Sequence, residues 1–266
     1  MLRTALALAG VALMTACASV PPPSPAVRAD LAPTGKLRAG INYGNMILAQ
    51  KDPATGESRG PAIDLTRELG KRLSVPVELV PYTSVGTMVD GARAGAWDIA
   101  FLGADPARAN EISFTAAYLE LETTYLVPAG SRLLTIDDVD QDGVRVAAPA
   151  RAAYELYLSR SLQRANLVRA QDGDAAFDML ATGRVEALAG LRQALGSLAE
   201  KLPGSRMLDG RFMAVQQAVG IPKGRDAGLV YLRAFVEEAK ASGMVAQSIE
   251  KTGFRGVAVA PKAAAQ

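Results

Sequence analysis

The chain has 266 residues, 49% hydrophobic and 21% charged, with 29 lysines and arginines against 27 acids. That is the make-up of a globular protein with a substantial core, in one large domain or two small ones, and its balanced charge gives no support for nucleic-acid binding. It contains no histidine and a single cysteine, which excludes Ser-His-Asp triads, Cys-His pairs and the HExxH and CxxC metal sites, so no cofactor is expected and any acid–base chemistry rests on carboxylates, lysines and tyrosines.

At the N-terminus one positive charge, Arg3, precedes an apolar run from Ala5 to Met14. Such a run is a secretory signal, too short to span a bilayer. Met14-Thr15-Ala16 before Cys17 resembles the bacterial lipobox, whose cysteine is lipidated and becomes the mature N-terminus, with Met14 where leucine is usual. Ala16-Cys17-Ala18 also fits the pattern of ordinary signal peptidase; lipidation at Cys17 is the favoured expectation. Residues 1–16 are thus assigned to a signal peptide. Residues 17–30, which include Pro21, Pro22, Pro23 and Pro25, are assigned to a stiff, lipid-anchored tether.

From Lys36 onward, short apolar runs alternate with helical patterns. Residues 37–41 read as a strand. Ile63, Leu65, Leu69 and Leu73 interleave with charged residues as a helical stripe. Residues 77–80 read as a strand, 85–94 as a helix and 99–102 as a buried strand. After a β-rich stretch at 119–127 comes a second series: strand 144–148, helix 152–162, strand 167–170, helix 175–181 and strand 187–189. A further β-rich stretch at 213–221 ends it. A helix carrying Leu229, Leu232, Val236 and Ala239 on one face follows, then a shorter helix over 244–251. Strands alternating with helices predict an α/β fold with mostly parallel sheets flanked by helices.

Two segments repeat one design. Residues 88–103 (MVDGARAGAWDIAFLG) and 176–191 (AFDMLATGRVEALAGL) each hold a helix, a glycine at its end (Gly95, Gly183), an acid three residues on (Asp98, Glu186) and a buried strand. Glycine permits the left-handed turn out of a helix. One copy per series suggests two lobes of related build, although any helix-to-strand turn shares part of this pattern.

The order of features resembles the extracellular solute-binding proteins of the polar-amino-acid family, which have the type II periplasmic binding protein fold. The resemblance is carried by Gly35-Lys36-Leu37-Arg38-Ala39-Gly40, Ala62-Ile63-Asp64-Leu65, Gly95-Ala96-Trp97-Asp98-Ile99-Ala100, Asp105-Pro106-Ala107-Arg108 and Val219-Gly220-Ile221-Pro222-Lys223-Gly224. It implies two lobes closing on a ligand, joined by two hinge strands. Lobe one would take residues 31–118 plus 219–266 and lobe two 123–218, with hinges near 119–122 and 214–221. It also implies an exported, periplasmic protein, monomeric, that presents a small molecule to an inner-membrane ABC permease and touches the membrane only through its N-terminal lipid.

Within that resemblance, Arg108 is the expected clamp for a ligand carboxylate. A guanidinium offers paired donors matched to a carboxylate and stays charged, and this one follows a strand end, where ligands bind in open α/β sheets. Gly103 and Ala104 are expected to bring backbone N–H groups to the same carboxylate. The chain departs from the amino-acid-binding pattern elsewhere. Asn42 stands where an acid is usual, no acid replaces it near Gly190-Leu191-Arg192, and the loop Pro149-Ala150-Arg151-Ala152 lacks a hydroxyl. Asn42 and Asn45 are candidate ligand contacts or simply turn residues. Ala152, Glu122 and Arg192 complete the candidate set, Glu122 as a partner for an amine and Arg192 as a second cation for a dicarboxylate. Two other functions remain open at this stage: a sensor subunit, and a dehydratase of cyclohexadienyl acids such as some relatives of the fold are, with Glu122 as its acid or base.

Overall fold

The computed structural model describes residues 21–264; the leader and Cys17 lie outside the described residues. The elements in chain order are α1 (Pro25–Leu31), β1 (Leu37–Asn42), the two-residue strands β2 (Gln50–Lys51) and β3 (Ser58–Arg59), α2 (Pro61–Leu73), β4 (Val77–Tyr82), α3 (Val85–Arg93) and β5 (Ile99–Gly103). There follow β6 (Ile112–Val127), β7 (Arg145–Pro149), α4 (Ala153–Ser161), β8 (Asn166–Ala170), α5 (Gly173–Ala181), β9 (Ala187–Leu191) and α6 (Arg192–Ala199). The chain closes with β10 (Arg206–Met207), β11 (Met213–Pro222), α7 (Asp226–Ala241), α8 (Met244–Thr252) and β12 (Ala258–Val259).

The main sheet runs β4-β1-β5-β11-β6-β9-β7-β8. At one end β1 lies parallel to β4 and β5, and at the other β7 lies parallel to β8 and β9. Between these parallel blocks stand two long strands, β6 and β11. They pair antiparallel to each other from Met213–Thr123 to Pro222–Ile112. β11 also pairs with β5, and β6 with β9. The protein is therefore an α/β structure of two halves sharing one pair of crossing strands.

Local chemistry explains most elements. In α2, Pro61 occupies the first turn and Asp64 sits beside the exposed N–H groups, where its charge is favoured. Its buried stripe of Ile63, Leu65, Leu69 and Leu73 packs with Phe235 and Val236 of α7. Ser84 caps α3 by accepting the Thr87 N–H, and Met88, Val89, Trp97 and Leu102 form a separate core on the opposite face. The second half has two cores of its own, one around Tyr125, Val146 and Leu158, the other around Leu126, Leu180 and Leu195.

The tether expected over residues 17–30 does not hold for its last part, because Pro25–Leu31 is helical. Ser24 accepts the Val27 N–H, Pro25 starts the helix, and Val27 and Leu31 are buried with the residues of α7. Asp30 accepts the Gly228 N–H at 2.8 Å. A proline is favourable at the first helical position, so Pro25 begins a docked helix rather than extending a spacer. α6 is a further element absent from the sequence reading. Among the described residues no helix is long and apolar enough to cross a membrane.

Candidate functional site

A cavity of about 420 Å³ opens where the carboxyl ends of β1, β5, β7 and β9 face one another. Asn42, Asn45, Gly103, Arg108 and Ala152 line it. Ala104, Glu122 and Arg192 are absent from that lining. Five of the eight expected positions are brought together and three are not.

Arg108 closes a 3-10 turn, Pro106–Arg108, that directly follows β5. Asp105 starts this turn by accepting the Ala107 N–H at 2.8 Å, which fixes the direction of the arginine. The side chain is buried at 4% exposure. It donates Nη1 to the Gly103 carbonyl and Nη2 to the Arg151 carbonyl at 2.7 Å. Among the described residues it forms no ion pair; Asp105 instead pairs with Arg160 at 2.8 Å. Burial pushes the Arg108 pKa down to about 10, against the opposing attraction of Asp105 and with added repulsion from Arg151. It is thus a cation held in a dry place with only carbonyl partners, and it stays protonated at neutral pH.

At Gly103, which lines the cavity, a Cβ would come within 2.7 Å of Val215 Cγ1 and 2.8 Å of Ala153 Cβ. Its missing side chain lets these neighbours close in on the strand end. The expectation for Ala104 is corrected, since its N–H donates to the Gln216 carbonyl at 2.8 Å and is consumed by the sheet.

Asn42 Oδ1 accepts the Gly44 N–H at 3.0 Å and Asn45 Oδ1 accepts the Ile47 N–H at 3.2 Å. Both oxygens build the loop after β1, as asparagine commonly does, and both residues still line the cavity. In the opposite half, Arg151 has φ +62°, an uncommon backbone state for a residue with a side chain. It is held there by its N–H on Glu155 at 2.9 Å and by its guanidinium on Asp90 of α3 at 2.8 Å. The pairs Arg151–Asp90 and Arg160–Asp105, with the bond from Arg108 to Arg151, tie the loop after β7 and helix α4 to the first half across the cavity.

Glu122 and Arg192 are placed by each other. Arg192 Nε lies 3.2 Å from Glu122 Oε2, and Arg211 Nη1 lies 3.2 Å from Glu122 Oε1. Arg192 also donates to the Gly210 carbonyl. A carboxylate shared by two arginines has no call to face a ligand, so the expected amine partner and second cation serve instead to hold β6 against α6.

Tyr154 of α4 lines the cavity, and burial raises its pKa. Two further lining features escaped the sequence reading. Asp172 and Asp174 are the two lining acids, and Asp172 is occupied in capping α5 through the Ala175 N–H at 2.9 Å. Gln217 of β11 is buried at 4% exposure. Its signal was available: a glutamine in phase with Val215 and Val219 on an otherwise apolar strand face. Among the described residues no group of three His, Cys, Asp or Glu side chains is placed to hold a metal ion.

Residues 38–253 match the family described as bacterial extracellular solute-binding proteins, family 3. A glutamine-binding protein of Geobacillus stearothermophilus is 25% identical over 194 residues, covering 71% of this chain and 73% of that protein. Among solved structures, the amino acid ABC transporter substrate-binding protein AbpA of Streptococcus pneumoniae, bound to L-arginine, is similar with a TM-score of 0.71 at 20% identity, over 84% of this chain and 96% of that one. The ancestral amino acid-binding protein AncCDT-1, a precursor of cyclohexadienyl dehydratase, is similar with a TM-score of 0.68 at 23% identity, over 82% of this chain and 94% of that one. These structural likenesses are likenesses of fold.

Proposed function

The chain belongs to the bacterial extracellular solute-binding proteins of family 3, and from that premise we propose that it captures an amino-acid-type solute by its carboxylate and presents it to an ABC permease. The observation that carries the proposal is Arg108: a buried guanidinium lining the cavity, without a carboxylate of its own. A charge taken out of water without a counter-charge is costly. A solute carboxylate would supply that counter-charge, and the fork of the guanidinium would orient it.

The relatives fit this chemistry, being proteins named for glutamine or bound to arginine. The domain reading has support in the crossing strands. Lobe one as residues 31–118 plus 219–266 and lobe two as 123–218 would be joined where β6 and β11 pass between the two parallel blocks, near 119–122 and 214–221. The contacts across the cavity describe how a closed form is held, and a closed form is what a permease could recognise. Anchoring through Cys17, export to the periplasmic space and a monomeric state complete the proposal. The lyase alternative loses its acid, because Glu122 is held by two arginines away from the cavity lining.

A thermal-shift screen of the common L-amino acids tests this. A true solute raises the apparent melting temperature with concentration, since it binds the folded state alone. No response to any of them at millimolar concentration would contradict the proposal.

A further inference from the structure

Arg151 holds a backbone state that its place in the chain does not explain. Among the described residues, two that are not glycine have positive φ, Ser74 and Arg151. Ser74 ends α2 as its left-handed cap, where helices commonly turn in this way. Arg151 lies in the loop after β7, ahead of α4, and the left-handed state is costly for a residue with a Cβ. Its surroundings hold it there. The N–H donates to Glu155 at 2.9 Å, and Glu155, itself buried, pairs with Arg169 at 2.8 Å. Nη1 reaches both oxygens of Asp90 on α3 at 2.8 Å. The stem lies along the first turn of the same helix, where a Cβ at Gly86 would come within 3.5 Å of Arg151 Cδ.

What this arrangement delivers is a carbonyl. Arg151 O accepts Arg108 Nη2 at 2.7 Å, while the Gly103 carbonyl accepts Nη1. Gly103 ends β5 in the first half and Arg151 follows β7 in the second, so one carbonyl comes from each half. A guanidinium is planar and carries its N–H groups in a rigid fork. Two carbonyls on its two terminal nitrogens therefore fix its plane and set the directions of the N–H groups that remain. Ala150 and Ala152 line the cavity and Arg151 does not.

Resting on the solute reading above, we propose that Arg151 is a positioning residue for the solute's carboxylate, acting through Arg108. With the two halves together, its left-handed backbone sets its carbonyl on Arg108 and the guanidinium is fixed from both sides. With the halves apart, only Gly103 holds it. Arg108 thus presents a defined fork in the closed cleft alone, and the Arg151–Asp90 pair ties that backbone state to closure.

Calorimetry on the full chain with each of the twenty common L-amino acids identifies the one bound most tightly, which is then titrated into Arg151→Gly, Arg151→Val and Arg108→Ala. Glycine takes a left-handed backbone without strain and valine resists it, while both variants remove the pair with Asp90. The ratio between them therefore isolates the carbonyl. Arg151→Gly should bind about two- to fivefold more weakly than the unaltered protein, as loss of an exposed ion pair allows. Arg151→Val should bind about tenfold more weakly again, because the left-handed state is then required only in the closed cleft. A merely structural role would lower the melting temperature of Arg151→Val and leave this ratio near one. Should Arg151→Val fail to fold, Arg151→Ala takes its place, with a further loss of about threefold over Arg151→Gly. Equal affinity in Arg151→Gly and the variant compared with it overturns the inference while the solute reading stands. Absence of binding by every amino acid, or undiminished binding by Arg108→Ala, removes the solute reading itself and this inference with it.

Discussion

Residues 88–103 in the first half and 176–191 in the second arrive at the same construction. Each helix ends in a glycine with positive φ, +62° at Gly95 and +70° at Gly183. Each is followed by an acid whose N–H donates to the carbonyl of an arginine at the start of the neighbouring parallel strand, Asp98 to Arg38 and Glu186 to Arg145. The acid then accepts from that arginine's backbone N–H, its Nε and its Nη2, at 2.8–3.1 Å in the first half and 2.7–3.1 Å in the second. What differs is the surroundings. The Asp98 side chain is fully buried and takes a second arginine, Arg225 at 3.0 Å, which also donates to the Asp30 carbonyl. Glu186 is 38% exposed and has Arg145 alone. One device thus serves as a buried junction where α1 and α7 return to the first half, and as a surface tie in the second.

The comparison can be broken most forcefully at Asp98. Asp98→Ala strands two partly buried arginines and should cost about 3–5 kcal/mol, the range for removing one member of a buried ion group. For a chain of this size that lowers the melting temperature by on the order of 10 °C, measurable by calorimetric unfolding. An intermediate loss is expected from Arg225→Ala, about 1–3 kcal/mol, because Asp98 keeps Arg38; a loss equal to that of Asp98→Ala would mean that the second arginine carries the whole junction. Glu186→Ala should cost no more than about 1 kcal/mol, as exposed pairs do. Its sign with pH is fixed. The Arg145 side chain holds the Glu186 carboxyl below its ordinary value of 4.5, so its contribution is present above that value and fades as pH falls through the lower folded one. Acid unfolding of Glu186→Gln should lack this small component.

Much of this architecture was legible before any coordinates. The 3.6-residue period that placed α2 and α7 reflects burial on one face, and the apolar run read as a buried strand over 99–102 is buried at every residue of β5. The glycine-and-acid repeat was visible as spacing, but its arginine partners lie 60 and 41 residues upstream and no local pattern links them. α1 was hidden by proline, which reads as a spacer yet also starts helices. Its motif singled out Arg108, which lines the cavity, whereas Glu122 and Arg192 lie off that lining for one shared reason. Each looked unpaired in sequence, and each is the other's partner across 70 residues. Gln217 went unnoticed because a polar residue on an apolar strand face draws attention only once the strand is known to border a cavity.

The central claim is that Arg108 receives the solute's carboxylate. Isothermal titration of the amino acid that most raises the melting temperature, into the unaltered protein, Arg108→Lys and Arg108→Ala at one salt concentration, tests it most directly. The account predicts a loss of about two orders of magnitude for Arg108→Ala, since charge-assisted hydrogen bonds contribute roughly 1.5–3 kcal/mol each, and partial recovery in Arg108→Lys, whose point charge lacks the fork. Near-unaltered affinity in a folded Arg108→Ala would contradict it.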